Sequence, residues 1–291
     1  MGEKFDFLTN QIFHMPKSLF DKFTIRQYML FFLLALILEG AFFEGFGAKA
    51  LLPVILAVIS TTLIDFGIAV IAKKLKEKNR IPNSIFLRNV FSLESAIISG
   101  LFIGGLLSQD LKWHIYILAG IVASLSKHLI MLNKRHIFNP AIIAVLCVSL
   151  VFGAGHSWWI SSSLPLVLVF GAFIIWKMRR LEMAIIFLLC SFAAMSLIEI
   201  LKGNGFYDIY YMLKNANVIY FFSMFMLTEP KTSPFGKRQK IVYGIFVALI
   251  FIGLHFLIPL HDLLIALAMG NVLAAYFNGA FKFEKNSLQA L

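Results

Sequence analysis

The stretch ALLPVILAVISTTLIDFGIAVIA, residues 50–72, decides the fold of this chain. Its 23 residues include a single charged side chain, Asp65. A helix needs roughly 20 predominantly apolar residues to cross the hydrocarbon core of a bilayer. An apolar run of this length therefore predicts a transmembrane helix.

The composition of the whole chain agrees with that interpretation. Of its 291 residues, 60% are hydrophobic and 14% are charged, against about 45–50% and about 25% in soluble domains. A water-soluble domain this apolar would lack polar side chains to cover its surface. The composition predicts an all-α polytopic membrane protein. The net charge of +11 is then assigned to topology and lipid headgroups rather than to nucleic acid.

The apolar runs predict about ten transmembrane helices joined by short loops. A tail at 1–26 precedes the ten-helix domain at 27–281, and a second tail occupies 282–291. Phe5, Leu8 and Ile12 have helical spacing, which leaves open either a helix on the membrane surface or a frayed tail. The predicted spans are 28–46, 50–72, 86–107, 112–132, 138–155, 158–176, 181–201, 207–227, 241–259 and 261–281.

The basic residues orient this set of spans. With both termini in the cytoplasm, 21 of the 26 Lys and Arg residues lie in inner segments. The outer segments hold Lys49, Lys112, Lys202 and Lys214, and Lys127 lies within a span. This asymmetry follows the positive-inside rule, and it predicts a multi-pass protein of the inner (plasma) membrane. Five plus five spans would also permit two inverted five-helix repeats.

Ionisable side chains within the spans form two groups. Charge at membrane depth is costly, so such residues form pairs or mark functional sites. Two interpretations stay open: internal pairs, of Lys127 with Glu94 or Asp65 and of Lys214 with Glu199, or a polar pocket near each surface. The inner group is Asp65, Glu94, Lys127 and His128, and the outer group is Glu39, Glu199 and Lys214.

Two polar segments lie at the inner face. The first junction, residues 124–140, runs from SLSKH to NKRHIFNP. Asn139 is a typical N-cap, and Pro140 suits a first helical turn. The free amides of that turn favour an anion, with Lys134 and Arg135 beside them; a capped helix with topogenic charges is the alternative.

The second junction, residues 226–236, reads MLTEPKTSPFG. Its two prolines prevent a regular helix, and its hydroxyl and carboxyl groups could bind a polar heterocycle. An ordinary turn is the alternative interpretation.

Together the junctions resemble the NqrB/RnfD family, membrane subunits of the sodium-pumping NADH:quinone reductase and of the Rnf ferredoxin:NAD complex. Ser126-Lys127-His128 and residues 136–141, HIFNPA, are similar to the family's S-K-H and N-I-F-N-P-A. Residues 226–234, MLTEPKTSP, are similar to its M-x-T-D-P-x-T-S-P. Ser95-Ala96 with Ser99-Gly100-Leu101, and Gly270-Asn271, match more weakly. The resemblance covers about residues 85–280.

The resemblance implies a flavin-carrying subunit of a membrane electron-transport complex, possessing ten spans with both termini inside. Its members bind riboflavin or FMN between helices and move electrons across the membrane together with other subunits. Glu229 stands where the family usually has Asp. The positions carried over by the motifs are Lys127, His128, Asn139, Pro140, Thr228, Glu229, Thr232, Ser233 and Pro234.

One departure concerns the attachment of flavin. Family members often carry S-G-A-T in the outer loop after span five, and its threonine takes FMN through a phosphoester. Here residues 153–159 read GAGHSWW, and Ser157 is the only nearby hydroxyl. We therefore expect non-covalent flavin and a separate flavin-carrying partner at the outer face. Trp158 and Trp159 are typical of membrane interfaces.

Two other functions remain open: a small-molecule permease, with the polar groups as gates, and a cofactor-free scaffold subunit. Two cysteines are too few for the four thiolates of an iron–sulfur cluster, and the chain has no NAD fingerprint. The sequence therefore predicts one subunit of a complex rather than a complete enzyme.

Overall fold

The computed structural model describes residues 23–77, 92–132 and 135–279. Within these ranges the chain is mostly helical, and one hairpin of two short strands is present. The predicted tail at 282–291 and the first 22 residues of the tail at 1–26, with the predicted helix at Phe5, Leu8 and Ile12, lie outside the described residues, as does Lys134. Residues 25 and 26 of the predicted N-terminal tail instead belong to the first helix.

Eleven α-helices follow one another in the described ranges. The fourth is joined to the fifth through a hairpin in which Met131 pairs with His136 and Leu132 with Arg135. The elements are α1 (Ile25–Phe42), α2 (Leu51–Glu77), α3 (Leu93–Leu106), α4 (Trp113–Leu129), β1 (Met131–Leu132), β2 (Arg135–His136), α5 (Pro140–Phe152), α6 (Leu164–Lys177), α7 (Leu181–Leu201), α8 (Phe206–Lys214), α9 (Asn217–Phe221), α10 (Lys237–Leu257) and α11 (Asp262–Phe277).

Four of these helical stretches are long and apolar enough to cross a membrane. Much of their surface consists of exposed aliphatic side chains, such as Leu63 on α2, Leu189 on α7 and Leu249 on α10. Contiguous apolar surface of this kind is stable against lipid and unstable in water. The four stretches are Ile25–Phe42, Ala48–Ala72, Leu181–Leu201 and Lys237–Leu257.

The shorter apolar helices form much of the interior. In α3 every residue from Ser99 to Leu106 is buried, and α9 continues into a π-helical turn, Phe222–Met226, that is buried throughout. The 14 residues of α3 extend about 21 Å at 1.5 Å per residue, less than the hydrocarbon thickness of about 30 Å. In a bilayer, the polar junctions beside such helices would lie partly at membrane depth, where backbone is tolerated only inside protein.

Glycine allows the closest helix contact. A Cβ atom at Gly100 would lie 2.5 Å from the Cα atom of Val58, and one at Gly104 would lie 2.5 Å from the Cα atom of Val54. The two glycines are four residues apart, so they share one face of α3. This small-residue face lets α3 lie directly on the backbone of α2, a common arrangement between helices in membranes.

The helices of the two halves pack in a similar order. In the first half α1 packs on α3, α2 on α4, and α4 on α5. In the second half α6 packs on α9, α7 on α10, and α10 on α11. The first helix thus meets the third, the second meets the fourth, and the fourth meets the fifth in both halves, when α8 is set aside.

Predicted span eight, residues 207–227, differs from the structure. It divides into α8, which buries no residue, and the separate buried segment formed by α9 and the π-helical turn. The exposed side chains of α8 include Phe206, Tyr207, Tyr210 and Tyr211. Asp208, Lys214 and the tyrosine hydroxyls make α8 amphipathic, so it does not continue the apolar segment.

Candidate functional site

A cavity of about 120 Å³ lies where the two junctions meet. It is bounded by the start of α1 and of α3, by the residues that lead into α5, and by the residues that follow the π-helical turn. Two phenylalanine rings and several polar groups line it. The lining consists of Arg26, Met29, Ser95, Ile98, Ser99, Phe102, His136, Asn139, Pro140, Phe225, Glu229, Pro230 and Lys231.

The first junction is held by the cap of α5. The Asn139 side-chain oxygen accepts hydrogen bonds from the amides of Ala141 and Ile142, at 3.0 and 3.3 Å. Pro140 occupies the first turn and has no amide hydrogen to satisfy. The amides that were predicted to favour an anion therefore donate to Asn139 instead. The alternative prediction, a capped helix, is correct for this turn.

The second junction follows the π-helical turn. The Thr228 hydroxyl donates to the Met224 carbonyl oxygen at 2.7 Å, and the Thr232 hydroxyl donates to the Glu229 carboxylate at 3.2 Å. The Ser233 hydroxyl donates to the Glu229 carbonyl oxygen. Hydroxyl groups that could bind a ligand thus hold the turn itself together.

Arg180 secures the far end of the second junction. Its guanidinium donates to the Ser233 hydroxyl and, at 3.1 Å, to the Pro234 carbonyl oxygen. It also lies over the Phe235 ring, 5.8 Å from the ring centroid. Arg180 is 5% exposed, and a buried guanidinium needs such partners. In the sequence, Arg180 is one of the basic residues of the predicted inner segments, and no motif marks it for this role.

Asn271 on α11 joins the two junctions. Its side-chain oxygen accepts a hydrogen bond from the Asn139 amide at 3.0 Å. Its side-chain nitrogen donates to the Thr232 carbonyl oxygen at 3.1 Å and to the Tyr243 hydroxyl at 3.4 Å. Asn271 is 1% exposed. One buried side chain therefore fixes the distance between two segments that are remote in sequence.

His136 is the least satisfied polar group at the cavity. Its side chain is buried, and its Nε2 atom has no hydrogen-bond partner among the described residues. Burial lowers the pKa of His136 to about 3, and the nearby positive charges of Lys231, Lys127 and Arg26 act in the same direction. The imidazole is therefore neutral at physiological pH and able to donate or accept one hydrogen bond.

Lys127 and His128 lie outside the cavity lining. The Lys127 ammonium is 2.6 Å from one carboxylate oxygen of Asp65, and His128 Nε2 is 3.3 Å from the other. Asp65 is 1% exposed. Of the two pairings left open for Lys127, the structure forms the one with Asp65 rather than Glu94. In the outer group Glu199 pairs with Lys202 at 2.8 Å, so the expected pair with Lys214 is wrong.

The nine predicted site residues thus fall into three sets. Asn139, Pro140 and Glu229 line the cavity, and Thr232 lines an adjoining cavity of about 20 Å³ that also contacts His136 and Lys231. Thr228, Ser233 and Pro234 make internal hydrogen bonds of the second junction, and Lys127 and His128 surround Asp65.

Several lining residues were absent from the predicted set. Arg26 had been counted as part of a tail, and Phe102 and Phe225 read as ordinary apolar residues of spans. Ser95, Ser99 and His136 belonged to the quoted motifs without being assigned a role. The motif residues could have been found by giving weight to every polar position in those motifs. Nothing in the sequence marks the two phenylalanines.

The loop at 153–159 is ordered by different contacts from those expected. Trp158 and Trp159 are 6% and 2% exposed, so they are core residues rather than interfacial anchors. The Trp159 indole donates to the Gly104 carbonyl oxygen at 2.8 Å, and the Trp158 indole donates to His156 Nδ1 at 3.0 Å. Ser157 is exposed. A second cavity of about 230 Å³ lies beside His156, Trp158 and Asp262.

The residues of the first cavity fit part of a flavin. A flavin has a flat ring system at one end and a side chain, phosphorylated in FMN, at the other. The cavity offers the apolar walls of Phe102 and Phe225 and the buried His136 Nε2 atom, which has no hydrogen-bond partner among the described residues. Its 120 Å³ is below the about 300–1,000 Å³ of sites that enclose a drug-sized ligand. The cavity therefore matches one end of such a cofactor. Within the described ranges, no group of His, Cys, Asp and Glu could hold a metal ion.

Comparison of the chain with protein-family models and with curated proteins finds no match.

Proposed function

We propose that this chain is a membrane subunit of a flavin-dependent electron-transport complex, similar to the NqrB/RnfD family. The observation that carries the proposal is the convergence of the two motif-bearing junctions on one cavity. Asn139 and Thr232, one from each motif, bond to the same Asn271 side chain. The two motifs lie far apart in the sequence, and their convergence on one cavity supports a shared role in binding one ligand.

The proposed architecture is a ten-span bundle with both termini in the cytoplasm. A helix overlaps each of the ten predicted spans, if α9 and the π-helical turn count as the eighth. The similar packing order of the two halves supports two inverted repeats, an arrangement that places sites between repeats. The exposed aromatic helix α8 then lies at the outer interface, where tyrosine is enriched.

In this proposal the cavity holds one end of a flavin, bound without a covalent link. The flavin supplies the electron chemistry, since it accepts and passes on electrons. The chain supplies a rigid frame. Asn271 fixes the junctions, Phe102 and Phe225 provide apolar walls, and neutral His136 supplies a hydrogen bond. Other subunits, among them a flavin-carrying partner at the outer face, would exchange the electrons.

The direct test is an absorbance spectrum of the protein after gentle detergent extraction. We expect the visible bands of oxidised flavin, bleached by dithionite. Asn139→Ala should lower the flavin content per protein, while Asn215→Ala, an exposed asparagine on the surface, should leave it unchanged. After acid denaturation, yellow colour should leave with the supernatant. A colourless wild-type protein, extracted in lipid nanodiscs with flavin in the buffer, would refute the proposal.

The proposed topology has its own test. Single cysteines placed in 177–180 and 229–240 should resist an impermeant thiol reagent applied to intact cells. Labelling of the 229–240 segment from outside would overturn the orientation. Uptake of a solute by proteoliposomes that contain the purified chain would favour the permease alternative.

A further inference from the structure

We propose that the cavity between the two junctions binds a phosphate-type oxyanion through Lys231, Arg26 and His136. The inference deepens the proposed function, and it rests on that function only for which molecule carries the anion. Two sources share this chemistry: the phosphate of FMN and the headgroup of an anionic lipid.

The mouth of the cavity carries two positive charges. Arg26 and Lys231 come from segments remote in sequence, and both line the cavity with exposed side chains. Like charges repel, so two cations at one opening are stable where an anion joins them. Glu229 is the one carboxyl group in the lining. It accepts a hydrogen bond from Thr232, and it can balance at most one of the two positive charges.

A polar group lies deeper inside. His136 is 9% exposed, and its buried Nε2 atom has no hydrogen-bond partner in the part of the chain that the structure describes. A buried imidazole without a partner destabilises the fold, because it has lost the hydrogen bond that it made to water. An oxyanion would accept that hydrogen bond and would at the same time neutralise Lys231 and Arg26. Ser95, which also lines the cavity, could add a hydroxyl donor, whereas the Ser99 hydroxyl already donates to the Ser95 carbonyl oxygen at 2.9 Å.

The size of the cavity limits what it can hold. The cavity of about 120 Å³ is smaller than sites that enclose a whole drug-sized ligand, and it suits a compact group. The amides of α5 do not take part, because Asn139 already accepts their hydrogen bonds. The anion would therefore be recognised by side chains from three segments rather than by a helix terminus.

The test compares ligands that differ by one phosphate. Affinities of FMN and riboflavin are measured by flavin fluorescence with the full chain in nanodiscs of zwitterionic lipid. In parallel, native mass spectrometry of the flavin-free chain records retention of phosphatidylglycerol against phosphatidylcholine. The variants are Lys231→Gln and His136→Gln, and the control is Lys237→Gln, an exposed lysine outside the cavity. Thermal unfolding of each variant checks that it folds.

If FMN supplies the anion, wild type binds FMN about tenfold or more tightly than riboflavin, as expected for a charge-assisted hydrogen bond. Lys231→Gln and His136→Gln reduce that ratio, and Lys237→Gln does not. If lipid supplies it, phosphatidylglycerol is retained by wild type and lost by the same two variants. Retention of lipid without any flavin binding would leave this inference standing while the proposed function fails. Equal binding of both flavins with no retained anionic lipid would overturn the inference and leave the proposed function intact.

Discussion

Removal of the Lys127 ammonium by Lys127→Met should destabilise the fold. Methionine keeps the length and the helix propensity of lysine, so the lost charge is the main change. Asp65 is 1% exposed and contacts Lys127 at 2.6 Å and His128 at 3.3 Å. In the variant the Asp65 carboxylate keeps only the longer and weaker of its two contacts.

The magnitude follows from the geometry. At 2.6 Å and an effective dielectric constant of about 20, the attraction between unit charges is about 6 kcal/mol. The carboxylate can instead take up a proton, and protonating a carboxyl group of ordinary acidity at pH 7 costs about 4 kcal/mol. The loss is therefore limited to about 4 kcal/mol, within the range of about 3–5 kcal/mol found when one partner of a buried pair is removed.

The assay is unfolding of the purified protein in detergent, followed by circular dichroism. Lys214→Met on the exposed surface of α8 is the matched control, and it should change stability by less than about 0.5 kcal/mol. The double variant Asp65→Leu with Lys127→Met should recover most of the loss, since an apolar pair replaces a buried ion pair at little cost. If Lys127→Met retained wild-type stability while its flavin content fell, Lys127 would be a cofactor ligand and our reasoning about the ion pair would be wrong.

Three further predictions follow from other contacts. Gly100→Ala should lower the free energy of unfolding by about 1–3 kcal/mol, because the added Cβ atom would overlap Val58. The control Gly253→Ala, whose Cβ atom would have nothing within 4 Å, should be neutral or stabilising. Equal effects of the two substitutions would refute the close contact of α2 and α3. Asn271→Ala leaves two backbone groups unsatisfied, the Asn139 amide and the Thr232 carbonyl oxygen. At about 1–3 kcal/mol for each group, the free energy of unfolding in detergent should fall by about 2–6 kcal/mol. A loss below about 1 kcal/mol would contradict the linking role of Asn271. The folded-state pKa of His136, about 3, lies below the ordinary histidine value of 6.5. The stability that the neutral imidazole contributes is therefore complete above pH 6.5 and falls as pH drops. Unfolding at pH 5 should show wild type losing about 2 kcal/mol more than His136→Gln, and parallel pH profiles would exclude a buried neutral imidazole.

Hydropathy predicted where helices lie because an apolar run has the same consequence in any tertiary context. Every predicted span overlaps a helix, and residues 181–201 match α7 at both ends. The method failed at 207–227, where Phe206, Tyr207, Tyr210 and Tyr211 count as apolar residues. These residues instead form an exposed surface helix. Tyrosine suits such a position because it combines an apolar body with a polar tip. Only tertiary packing distinguishes this helix from the buried turn that follows it.

The site was less predictable, because hydroxyl groups in a motif can serve either the ligand or the fold. Thr228 and Ser233 look like ligand donors in sequence, but each donates to a carbonyl oxygen four residues earlier. Which use prevails depends on whether the backbone beside them is a regular helix. Here a π-helical turn and two prolines interrupt the regular pattern of amide-to-carbonyl hydrogen bonds, and nearby hydroxyls donate to the Met224 and Glu229 carbonyl oxygens. Cap chemistry was predictable at Asn139, because that geometry is local.

Asn271 shows why the relation between the two junctions could not be derived from their sequences. It lies 132 residues from Asn139 in an apolar helix, where one asparagine has no distinctive spacing. Its three hydrogen bonds exist only because α11 packs against α10 and α5, which brings Tyr243, Thr232 and Asn139 within reach of one amide. An amide in an apolar interior is costly unless every polar atom has a partner. The hydrogen bonds of Asn271 also fix the relative position of the two junctions, because a shift of either junction would leave at least one buried polar group unpaired. The cavity therefore owes its shape to a residue that does not line it.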